Sequence, residues 1–224
     1  MIIGTETDFA DMTLDELRIA LAGDVAAAAA FDGWTMAAVE SAAAARGISP
    51  DLARVAFPGG AMDMITAWIA AIDAAMETAL PADVLAGMKV RERIRQLVTF
   101  RLEAAAGCEE AMRRALAIMA MPQNVPRALG LGWNSADVMW RLAGDTATDY
   151  NHYTKRALLA ALYTATLAVF IDDTSTDKTE TQAFLGRRID GVMKFEKAKA
   201  KWLKPAGESF SLTRLLGRLR YPAV

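Results

Sequence analysis

The sequence predicts an all-α protein, and three observations predict it. Alanine and leucine, both strong helix formers, dominate a chain of 224 residues that is 54% hydrophobic. The alternating apolar–polar pattern of half-buried strands is missing. Apolar side chains recur instead at helical spacing, as in Met64, Trp68, Ile72 and Met76, each four residues after the last.

The elements follow in order. Thr13 and Glu16 make a capping box, and the helix they start runs to about Phe31, where Asp32-Gly33 breaks it. Thr35 opens a second helix, Met36–Arg46, which Gly47 ends. Ser49-Pro50 caps a short third helix to about Phe57, and Pro58-Gly59-Gly60 separates it from the long helix carrying Met64 to Met76. This succession, with its Gly33-Trp34-Thr35 start, resembles the N-terminal helix-turn-helix of tetracycline-repressor-like regulators. Pro81–Val84 begins a helix expected to reach Ala106, with an interruption at Gly87. Gly107-Cys108 sets off Glu109–Met121. Pro122 and Pro126 then stop the chain, since a residue before proline is pushed toward extended geometry. A helix carrying Trp133, Val138, Met139, Trp140 and Leu142 follows, and the polar block Gly144–Asp149 ends it. Ala157–Ile171 is apolar on almost every side, as befits a core or an interface. Thr179–Lys201 is the next helix, Lys204–Gly207 a hinge, and Phe210–Tyr221 the last element.

Charge is unevenly spread along the chain. Residues 1–66 hold three basic against ten acidic side chains, a balance of −7, whereas residues 187–224 hold ten basic against three acidic, a balance of +7. Cys108 is the single cysteine, so no intrachain disulfide forms and a reducing compartment is expected. No basic-then-apolar start is present, and the longest apolar run, Ala157–Ile171, falls short of the roughly 20 residues that span a bilayer. The expectation is a bacterial cytoplasmic protein, peripherally associated with the inner membrane.

Several chemistries are argued against. Phosphate contacts dominate DNA affinity, yet the helix in the recognition position, Ser49–Phe57, offers only Arg54 and lies in the −7 segment; no nucleic acid is expected. Asp149-x-x-His152 has the one-turn spacing of a carboxylate–histidine pair, but a di-iron bundle site needs two such units and the chain has one histidine. No phosphate-binding glycine loop occurs. Neither a catalytic residue nor a cofactor or metal is expected.

Three apolar constellations remain. Met64, Trp68, Ile72, Met112, Leu116, Met119, Trp133, Leu158 and Leu162 are placed to fill the space between helices, as core or as a cavity for a flexible apolar ligand; methionine adapts well to either. Trp140 with Arg141, flanked by Asp137, Leu142 and Asp145, has the makeup of a protein–protein hot spot if exposed. Leu212, Leu215, Leu216 and Leu219 form one helical stripe beside Phe210, Arg214, Arg218 and Arg220, a basic amphipathic segment suited to an anionic membrane surface.

Met121-Pro122-Gln123-Asn124-Val125-Pro126, then Trp140, Ala143-Gly144-Asp145, Asp149, Asn151, Tyr153-Thr154 and Arg156, resemble the ubiquinone biosynthesis accessory family, the ninth of the coenzyme Q proteins. The similarity is strongest over Met112–Met193. The family usually has an aromatic residue where this chain has His152. The resemblance implies a tetracycline-repressor-like fold with a helix-turn-helix-like unit at residues 13–62 that does not bind DNA. It also implies a lipid-binding and dimerisation unit at 63–203 and an amphipathic tail at 204–224. It implies a cavity for a polyprenyl quinone or phospholipid at the nine apolar positions. The hydroxylase that acts late in ubiquinone synthesis would meet the Trp140 surface, a membrane would meet the tail, and Ala157–Ile171 with Thr179–Met193 would form a homodimer. The alternative is a ligand-responsive transcriptional repressor of the tetracycline-repressor type.

Overall fold

A computed structural model of the chain describes residues 9–146 and 150–202, and among them it contains helices and turns but no strand. The capping box forms: Thr13 N–H donates to Glu16 at 2.8 Å, and Glu16 N–H donates back to the Thr13 hydroxyl. It starts α1 (Leu14–Asp32), whose end at Gly33 needs a positive φ of 69°. α2 (Met36–Ala45) and α3 (Pro50–Ala56) complete a three-helix head. α1 lies against both α2 and the long α4 (Ala61–Ala79). The helix expected from Pro81 to Ala106 is two helices, α5 (Ala82–Leu85) and α6 (Val90–Glu103). Arg93 fixes the bend between them, donating to the carbonyls of Ala86, Met88 and Ala143 at 2.8–2.9 Å.

α7 (Glu109–Met119) and α8 (Val125–Leu142) follow, with Pro126 in the first turn of α8, where a missing N–H costs nothing. α8 ends in a Schellman turn: Gly144 N–H reaches the Arg141 carbonyl and Asp145 N–H the Trp140 carbonyl, both at 2.9 Å, with Gly144 at φ 83°. α9 (Tyr150–Asp172) packs between α8 and α10 (Thr179–Trp202). Asp173 joins these last two helices by accepting from Thr181 N–H at 2.8 Å and from the Thr181 and Ser175 hydroxyls.

The helix containing the Ala157–Ile171 run extends further than that run. Asn151–Asp172, 22 residues, is long and apolar enough to cross a membrane by length and composition, contrary to the expectation from the run alone. Polar residues at its N-terminal end supply the extra length, and 44% of its most apolar window is buried inside the fold. The hydrophobic core is continuous from Leu17 in α1 to Ile189 in α10. Trp34, between α1 and α2, shows how head and body join. Its indole N–H donates to the Ala111 carbonyl of α7 at 2.8 Å, and its ring lies 5.5 Å from that of Trp68 in α4. The hinge and the amphipathic segment predicted beyond residue 203 lie outside the described residues.

Candidate ligand-binding site

α4 supplies one wall of a cavity of about 310 Å³ through Ile65, Trp68, Ile69 and Ile72. These positions follow i, i+3, i+4, i+7, the spacing of a single helical face. α7 adds Met112, Leu116 and Met119, α8 adds Val125, Leu129 and Leu131, and α9 adds Tyr163 and Leu167. The size is at the lower end of ligand pockets. One end reaches solvent at Leu129, which is 70% exposed, with Val125 exposed beside it. Arg101, Ser135 and Thr164 are polar members of a lining that is otherwise mostly apolar, to which Tyr163 adds a ring with a hydroxyl.

The nine cavity residues read from the sequence are divided by the fold. Trp68, Ile72, Met112, Leu116 and Met119 line this cavity together. Met64 is buried in the core but does not reach it, because steps of four drift around the helix and leave Met64 off the Ile65–Ile72 face. Trp133 turns the other way and stacks against His152 and Tyr153, with ring centroids 6.5 and 6.0 Å apart. Leu158 and Leu162 line a second apolar cavity of about 300 Å³ with Ile94, Leu159, Ile189 and Met193. α9 thus serves both cavities, one from each side.

Trp140 borders this second cavity. It is half-buried, its N–H donates to the Lys155 carbonyl at 2.9 Å, and the Lys155 ammonium sits 5.4 Å from its ring. The neighbouring acids face inward. Asp145 pairs with Lys155 at 2.6 Å and with Arg156 at 3.1 Å, while Asp137 pairs with Arg156 and with Arg141 at 3.1 Å. The Trp-x-x-Ala-Gly-Asp string therefore ties the end of α8 to α9. Arg141 is exposed, Leu142 is half-buried, and Trp140 keeps a partly open face.

The remaining candidates are quickly placed. His152 gives its carbonyl to Arg156 and packs its ring against Tyr153; Asp149, its supposed metal-binding companion, lies outside the described residues. Arg54 is ion-paired to Glu40 at 2.9 Å and to Asp51 at 2.6 Å. Burial, aided by Glu109, pushes the Cys108 thiol above its ordinary range, so thiolate is scarce near neutral pH. The sequence reading missed Arg101, Asp73, Ser135 and Tyr163. One signal was present: Arg101 stands seven residues after Ile94 and four after Leu97, a charge in a core register.

Residues 125–196 match the COQ9 family. The chain is 34% identical over 184 residues to the ubiquinone biosynthesis protein COQ9, mitochondrial, of Rattus norvegicus, covering 79% of this chain and 58% of that protein. It is 33% identical to the Homo sapiens protein of the same name, covering 79% and 57%. It thus spans somewhat more than half the length of these relatives. A solved TetR transcriptional regulator from Nitrosomonas europaea superposes with a TM-score of 0.62 at 20% identity, over 84% of this chain and 99% of that one, which establishes a tetracycline-repressor-like fold. The relatives' names correct one expectation: they are mitochondrial proteins, which conflicts with a bacterial cytoplasmic location. A lone cysteine and an acidic start describe the chemistry of a chain and do not identify its compartment.

Proposed function

From the match of residues 125–196 to the COQ9 family and the similarity to its mitochondrial relatives, we propose that this chain is a non-catalytic accessory protein of ubiquinone biosynthesis that binds a polyprenyl quinone intermediate and presents it to the pathway's di-iron hydroxylase. The observation that carries this reading is the apolar cavity between α4, α7, α8 and α9. A prenyl chain in water exposes apolar area at about 25 cal/mol per Å², and enclosure in such a cavity removes that cost. The exposed Leu129 and Val125 form an apolar mouth through which the chain enters. The open face of Trp140 with Arg141 is the surface offered to the hydroxylase. The amphipathic segment bearing Phe210, Leu212, Leu215, Leu216 and Leu219, with Arg214 and Arg218, holds the molecule at an anionic membrane. Two copies associate through α9 and α10.

Native mass spectrometry of the purified chain, followed by lipid extraction, tests this reading. A retained polyprenyl quinone that is lost on Leu116→Trp, in a protein of unchanged helicity, supports it; a chain that binds no quinone on incubation with one rejects it. The second reading, a ligand-responsive repressor, draws on the tetracycline-repressor-like fold. A gel shift on genomic fragments separates the two, because a repressor gives sequence-specific retardation with a steep salt dependence.

A further inference from the structure

The outer surface of α8 is apolar where a helix of a globular fold is ordinarily polar. Met121, Val125, Leu129 and Trp133 follow one another in steps of four, each about one turn beyond the last. The Val125 N–H donates to the Met121 carbonyl at 3.2 Å, which brings Met121 to the first turn. Tyr153 of α9 continues the run, its ring 6.0 Å from that of Trp133, and His152 packs edge-on against Tyr153. Met121, Val125, Leu129 and Tyr153 are four of the ten large hydrophobic side chains that are exposed among the described residues. Scattered exposed apolar side chains are ordinary, whereas a contiguous patch of them marks an interaction surface.

Charge and ring chemistry indicate the partner. No aspartate or glutamate stands between Glu110 and Asp137, in a chain with 27 acidic residues. Of the three arginines in that interval, Arg113 and Arg114 pair with Glu110, and Arg127 turns aside to Asp63 of α4. Asp137, one turn beyond Trp133, pairs with Arg141 and Arg156 and closes the patch. The rings at this edge, Trp133 and Tyr153, have an apolar body and a polar tip, a combination that favours the headgroup level of a bilayer. The apolar cavity opens in the middle of the patch, at Val125 and Leu129. We propose that this face of α8 lies in the headgroup layer of a membrane, so that the cavity mouth opens directly into lipid. The inference deepens the lipid-binding reading and rests on it for the cavity's cargo. A prenyl chain passes from bilayer to cavity without crossing water, and entry by the chain leaves the head at the mouth, on the same helix as the Trp140 surface. A few apolar side chains give weak, reversible contact, so the patch orients a molecule that the basic tail brings to the surface.

The test uses the full chain with Cys108→Ser, so that one label is placed at a time. Met121→Cys and Tyr153→Cys carry the environment-sensitive nitrobenzoxadiazole dye within the patch. Val84→Cys carries it elsewhere: α5 follows the C-terminal end of α4, whereas Arg127 ties the start of α8 to the start of α4. The probe is a vesicle of equimolar phosphatidylcholine and phosphatidylglycerol. On adding vesicles, emission from positions 121 and 153 should rise several-fold and shift to the blue, and nitroxide-bearing lipid should quench it; emission from position 84 should stay as it was. Unlabelled Met121→Glu puts an acid where none stands and lies outside the cavity lining. It should bind the vesicles about tenfold more weakly and take up a ubiquinone analogue from detergent as the parent does. Labels that stay in water on vesicle-bound protein, Met121→Glu that binds as tightly as the parent, or a full chain that does not bind the vesicles overturns the proposal. A shift without vesicles that grows with protein concentration, or one that requires the hydroxylase, assigns the patch to a second copy or to that partner and overturns it too. Should one labelled variant lose helicity, the other decides. Quinone retention in native mass spectrometry is read without a membrane, so the cavity reading stands or falls separately.

Discussion

Arg156 of α9, 2% exposed, donates to Asp145 just beyond the end of α8 at 3.1 Å, and Asp145 is nearly as buried as its partner. With Asp137 on the other side of the guanidinium, this pairing locks α8 to α9. Removing the cation leaves the buried carboxylate of Asp145 and the partly exposed one of Asp137 without their shared partner. Arg156→Met should therefore lower stability toward the lower end of about 3–5 kcal/mol, since Lys155 and Arg141 still serve the two acids. Urea unfolding measures this, and a loss under about 1 kcal/mol would show that the remaining cations suffice.

Trp140→Lys should weaken capture of the hydroxylase while leaving lipid retention and helicity in place. The indole is only partly buried, and its N–H bond to Lys155 is one link among several between α8 and α9. Pull-down beside circular dichroism distinguishes the outcomes: an unfolded protein assigns Trp140 to the core, and unchanged capture removes it from the interface.

The dimer is tested outside the core. Leu162, 7% exposed, faces the second cavity of its own subunit, so charging it would unfold the monomer before it tested any association. The outward stripe of α9 is instead Ala157, Ala161, Thr164 and Ala168. Ala161→Arg should give a folded monomer by size-exclusion chromatography with light scattering. A folded dimer of unchanged mass would move the interface away from α9.

Asp173 sets an acid limit. Hydrogen bonds from Ser175 and Thr181, side chain and backbone, hold its carboxyl well below the usual range. Because the folded value lies below the unfolded one, its contribution is complete above about pH 4 and is lost as pH falls through the depressed value. Asp173→Asn should melt earlier than the parent at pH 6 and approach it as the pH is taken toward about 2. A difference that stays constant across that range would show that the proton has no part in it.

Deleting residues 210–224 should abolish flotation with anionic liposomes at low salt and leave the helical core folded. Each basic residue near such a surface contributes about 1 kcal/mol, and the apolar stripe of four leucines is too short to hold by itself. Equal flotation of the shortened chain would assign the membrane contact to Lys194–Lys204 or to the cavity mouth.

How much of this was legible in the sequence depends on the kind of signal. Thr13 and Glu16 announce α1 because a capping box is a local device whose partners are three residues apart. The break at residues 86–89 was only half visible: Gly87 marked it, but the bend is fixed by Arg93 reaching the distant Ala143 carbonyl. A run apolar on almost every side did not show that α9 faces two interiors, so Leu158 and Leu162 were grouped with residues across a wall from them. Asp137 and Asp145 look like surface charges beside an exposed tryptophan until Arg156, 11 residues after Asp145 and 19 after Asp137, arrives to pair with both. Arg101 stood in a core register, yet its pairing needed Asp73 and Ser135 from two other helices.

The bond from Trp34 to the Ala111 carbonyl gives the head a duty toward the body, whatever the head itself contacts. α1 covers α4, and Trp34 covers Trp68, whose other side forms the cavity wall. A fragment beginning after residue 62 would thus present the back of its own apolar cavity to water, and would be expected to precipitate or to scavenge detergent.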